Sequence, residues 1–173
     1  MVFLNHIVAT YRHFLQVLTP LDLAKLTSLM LDSLSKDCCP NSLLVAKLGA
    51  IQGCVSSPVW ECGEARGLLL PTCCHHVKAH LLQREELEGC AAVLGDILTF
   101  LQERIADDRG EGSHKGEVVR DVQTLAEILL DPIVTTLLVM DRDTLSITMV
   151  KVSISMLILV ALLLRKSLWT SNL

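Results

Sequence analysis

The chain has 173 residues, 51% hydrophobic and only 3% aromatic, so its core is aliphatic and one ordinary domain holds it. A formal net charge of −4, from 15 basic and 19 acidic residues, excludes the clustered positive field that a nucleic-acid or polybasic lipid surface needs. Gly and Pro are sparse and fall at breaks, which excludes disorder for the body of the chain.

The first predicted helix, Leu4 to Leu18, places Leu4, Ile7, Val8, Tyr11, Leu15 and Leu18 on one face. In "TPLD", Thr19 is the expected cap, Pro20 the first helical residue, and Asp22 faces the positive end of the next helix. That helix carries Leu23, Leu26, Met30 and Leu34 as its stripe. "KDCCPNS" breaks it and carries no assigned chemistry. Asn41 or Ser42 starts a third helix with Leu44, Leu48, Ile51 and Val55. "SSPVWECGE" is a further break, where Trp60 seals a helix corner. Residues 64–70 read as a short apolar turn, with Pro71 opening the helix after it. The strongest pattern follows, with Leu87, Cys90, Ala91, Leu94, Ile97, Leu98, Leu101 and Ile105 at helical spacing. "ADDRGEGSHKGE" is a polar exposed loop; its Gly110, Gly112 and Gly116 match no phosphate-binding loop. Residues 118–140 form a last helix or pair, with a kink or restart at Pro132. Helices of three to four turns alternating with short breaks predict an all-α fold. The expected architecture is irregular armadillo/HEAT-like helical repeats, an α-solenoid fragment over residues 1–143.

Seven cysteines are an odd number: Cys38, Cys39, Cys54, Cys62, Cys73, Cys74 and Cys90. With no secretory signal in "MVFLNHIVATYRHFL", they predict free thiols in a reducing, cytoplasmic setting. The densest reactive run is "LLLPTCCHHVKAH". On a helix, Cys73, His76 and His80 share one side, and Cys62 or Cys90 would have to supply a fourth zinc ligand. The run lacks C-x-x-C and HExxH, so it reads as helix wall: Cys73, Val77 and His80/Leu81 inward, and His75, Lys78 and Arg84 outward. A thiol nucleophile would need a positioned base and an oxyanion hole, and no glycine-rich turn presents one. No catalytic, cofactor-binding or metal residue is assigned. Arg66 is expected to pair with Glu61 or Glu64 and fix a bend, whereas Glu117 and Asp121 read as solvated charge.

Residues 144–173 differ in composition. Val152 to Leu164 is 13 residues without a charge, about 20 Å of helix against a hydrocarbon layer of about 30 Å. Extension to Thr144 adds Lys151, which can snorkel, while Arg165 and Lys166 oppose the positive-inside bias. The expectation is a divergent apolar helix. It is membrane contact through 144–164, or a helix apolar all round and buried between neighbours, or the foreign tail of a truncated or alternatively spliced product or of a mistaken gene model.

The order of features from "LTPLDLAKLTSLMLDSL" through "LLVAKLGAIQGCVSSPVWECGEARGLLLP" to "HHVKAHLLQREELEGCAAVLGDILTFL" resembles the middle, all-helical region of the DOCK (dedicator of cytokinesis) proteins. Those are large guanine nucleotide exchange factors for Rac-type GTPases, and "HHVKAHL" is most similar to the Rac-directed branch. The resemblance implies a scaffold segment rather than an enzyme. The exchange region and the phosphoinositide-binding region are not recognisable in this chain. A Rac-type GTPase and an ELMO-type adaptor would be met through other parts of the parent protein, with no nucleic-acid partner. The alternative is a small tail-anchored helical adaptor.

Overall fold

The computed structural model describes residues 10–34, 41–107 and 115–139, with six further positions between 147 and 157. Those residues are helical or in short turns: α1 (residues 10–14), α2 (Pro20–Ser33), α3 (Asn41–Val55), α4 (Pro58–Glu61), α5 (Gly63–Gln83), α6 (Leu87–Asp107) and α7 (Lys115–Val139). The expected positions Leu4, Ile7, Val8, Cys38, Cys39, Gly110 and Gly112 lie outside the described residues, as does most of the 144–164 segment.

α2 starts as its sequence dictates. The Thr19 hydroxyl accepts from the Asp22 N–H at 3.1 Å and lies 2.6 Å from the Asp22 carboxylate, with Pro20 in the first turn. Its C-terminal end is held by Lys47 of α3, whose ammonium donates to the Leu34 carbonyl at 3.1 Å, where a cation suits the helix dipole. The buried face is Leu23, Ala24, Thr27 and Leu31, so the expected stripe through Leu26 is rotated. Leu26 is exposed because Thr27 takes the inner place. The Thr27 hydroxyl donates to the Leu23 carbonyl at 2.8 Å and lies 2.8 Å from the Tyr11 hydroxyl, so burial leaves it no unmet polar group.

The α3 stripe of Leu44, Leu48, Ile51 and Val55 is buried as its spacing predicts, and so are Cys90, Ala91, Leu94, Ile97, Leu98 and Leu101 of α6. Each fully buried Leu or Ile contributes on the order of 1.5–3 kcal/mol. The apolar turn expected at residues 64–70 is instead the first two turns of α5. Pro71 lies inside that helix rather than opening it. Pro71 has no N–H for the carbonyl of Gly67, and Gly67 is exposed, so water can take that carbonyl. Likewise α7 begins at Lys115, within the expected loop, and runs through Pro132 to Val139.

α5 lies between α2 and α7, α3 lies against α6, and the single turn α4 tucks against α5. The pairs α2/α3 and α5/α6 therefore stack in two rows, and α7 continues the row of α2 and α5. Each pair buries its apolar face on its neighbour, as helical repeats do. Among the described residues, Gly116–Val139 of α7 is the one helix long and apolar enough to cross a membrane. In this fold its Val118, Val122, Leu125, Leu129 and Ile133 join the common core.

Candidate functional site

The Cys/His run does not assemble a metal centre. Cys73 and Cys74 are fully buried, and Cys54, also buried, lies 3.1 Å from the Tyr11 hydroxyl. His76 turns to α2 and meets Asp32 at 3.1 Å, while His80 is buried with Nδ1 3.7 Å from Glu85. Of the three candidate ligands, Cys73 is thus shut in the core, while His76 and His80 meet different carboxylates, Asp32 and Glu85. Cys62 sits at the N-cap of α5, and Cys90 lies in α6, its thiol 3.8 Å from the Glu85 carbonyl. Among the described residues, no group of three His, Cys, Asp or Glu is placed to hold a metal. Burial raises the thiols: Cys54 to about 11, Cys74 to about 12, and Cys90, helped by the nearby Glu86 charge, to about 12. A thiol held protonated at neutral pH is a poor nucleophile and a poor ligand. Burial, assisted by the Lys47 charge, lowers His76 against the pull of Asp32.

The polar centre of the molecule is elsewhere, at Arg66 in the second turn of α5. Its guanidinium is 2% exposed. Nε donates to Asp121 Oδ2 at 2.6 Å, Nη2 to Glu117 Oε2 at 3.2 Å, and Nη1 to the Trp60 and Glu61 carbonyls at 3.0 and 3.2 Å. The planar fork satisfies two carboxylates and two carbonyls at once, which an ammonium could not do in this geometry. The guanidinium carbon also stands 5.2 Å from the centre of the Phe100 ring, and so does that of Arg104. Trp60 meets the same ring edge-on at 6.5 Å. One side chain therefore ties α4, α5, α6 and α7 together.

Gly63 makes room for this node. A Cβ there would fall 2.5 Å from Glu117 Oε2, so any larger residue would make the flexible Glu117 side chain shift. Burial raises the Asp121 carboxyl above its ordinary value, outweighing the opposite pull of Arg66.

The expected partners of Arg66 are corrected. Glu61 contributes a backbone carbonyl, and its carboxylate lies 3.8 Å from Arg104; Glu64 is exposed. Glu117 and Asp121, expected in solvent, are the ion-pair partners, 51 and 55 residues away. One signal for them was available. Asp121 adjoins Val118, Val122 and Leu125, on the side of α7 that the apolar pattern turns inward.

Comparison with known proteins gives the same picture. The family model described as "Dedicator of cytokinesis (DOCK) TPR region" matches residues 1–165. Dedicator of cytokinesis protein 3 of mouse is 34% identical over 97 residues, which cover 56% of this chain and 4% of that protein; the human protein gives the same values. Human dedicator of cytokinesis protein 4 is 27% identical over 138 residues, 79% of this chain and 7% of that protein. The chain thus spans less than a tenth of the length of these curated relatives. No solved structure matches. The family description names tetratricopeptide-type repeats where the armadillo/HEAT kind was expected; stacked helix pairs are common to both.

Proposed function

The chain belongs to the dedicator of cytokinesis (DOCK) family, and from that premise we propose that it is a helical scaffold segment of a DOCK-type guanine nucleotide exchange factor for Rac-family small GTPases, in cytoskeletal signalling. One observation carries the reading: the matched region coincides with two stacked rows of helices locked by a buried arginine. Such a body sets the distance and angle between whatever is attached to it. Its internal charges are spent on its own helices. Exchange chemistry, Rac binding and contact with an ELMO-type adaptor are assigned to other regions of the parent, acting in the cytoplasm.

The test is nucleotide release. The purified full chain, added to Rac loaded with a fluorescent guanine nucleotide, should leave the release rate at background. Acceleration that grows with chain concentration would overturn the scaffold reading.

A further inference from the structure

We draw no further inference here: the strongest candidate, the cleft of about 270 Å³ between the C-terminal end of α3, α4 and α6, is lined by the carboxylates of Glu61, Asp96 and Glu103, two of which already meet Arg104 and Gln52, and nothing among the described residues shows what would fill it.

Discussion

Arg66 shows how a single charged side chain in an aliphatic core can be obligatory. Its charge cannot be neutralised, so every donor must be met inside. Arg66→Ala leaves the Asp121 carboxylate buried without its partner and should cost about 3–5 kcal/mol, read as a lower urea midpoint. Removing the charges together, as Arg66→Met with Asp121→Leu and Glu117→Gln, should recover most of that loss. A triple variant no more stable than the single one would refute the ion-pair account. The buried thiols make a second residue-scale case. Cys62 is partly exposed while Cys54, Cys73, Cys74 and Cys90 are buried, so maleimide should label Cys62 at least about 100-fold faster than those four in the native protein. Their titration has a definite sign. The unfolded chain releases thiol protons near the ordinary value of 9.0, whereas the folded chain holds them to about 11 at Cys54 and about 12 at Cys74 and Cys90. Stability is thus full below pH 9 and falls as pH rises, by up to ~1.4 kcal/mol per pH unit for each thiol. Urea melts at pH 7.5 and pH 10 check it, and Cys54→Ala with Cys74→Ala and Cys90→Ala should flatten the slope. Burial of the Cys/His run was legible in the sequence, because small apolar thiols at helical spacing have only one good place. The partners of Arg66 were not, because contacts across 51 and 55 residues leave no trace in local spacing.

At the scale of the element, sequence signals worked where they were local. The Thr19–Pro20–Asp22 start of α2 is a property of four consecutive residues, and it is found as read. Pro71 misled for the converse reason. Its preference for a first turn is a local tendency, and the packing of Ala65, Leu69, Cys73 and Val77 into one core outweighs it. The α5–α6 connection hides another feature that spacing cannot show. Arg84 closes α5 in the left-handed region at φ 58°, ψ 37°, its N–H bonding to the His80 and Leu81 carbonyls, and Glu86 follows at φ 48°. A side chain in that conformation costs about 1–2 kcal/mol, which glycine avoids while losing more backbone entropy on folding. Arg84 is exposed and makes no ion pair among the described residues, so Arg84→Gly should raise stability by about 0.5–1 kcal/mol. The expected readout is a higher urea midpoint with an unchanged slope. A lower midpoint would mean that the Arg84 side chain contributes more than its backbone strain costs.

For the molecule as a whole, stacking of pairs explains why an aliphatic chain with a weak sequence period still folds to one arrangement. Each row needs only a neighbour of matching shape, so a core of Cys, Ala and Leu at helical spacing needs no strict repeat, and the helical character was legible while the pairing was not. α2 and α7 flank α5, and their outward sides carry Leu29, 67% exposed, and Leu138, 80% exposed. Large apolar side chains in water on the two flanking helices invite association of the chain. Leu29→Lys with Leu138→Lys should therefore abolish concentration-dependent growth in light scattering. Because neither side chain is packed, stability should change by no more than about 0.5 kcal/mol. A destabilisation above about 1 kcal/mol would show that these leucines are covered within the folded chain, and unchanged scattering would place the contact on another face.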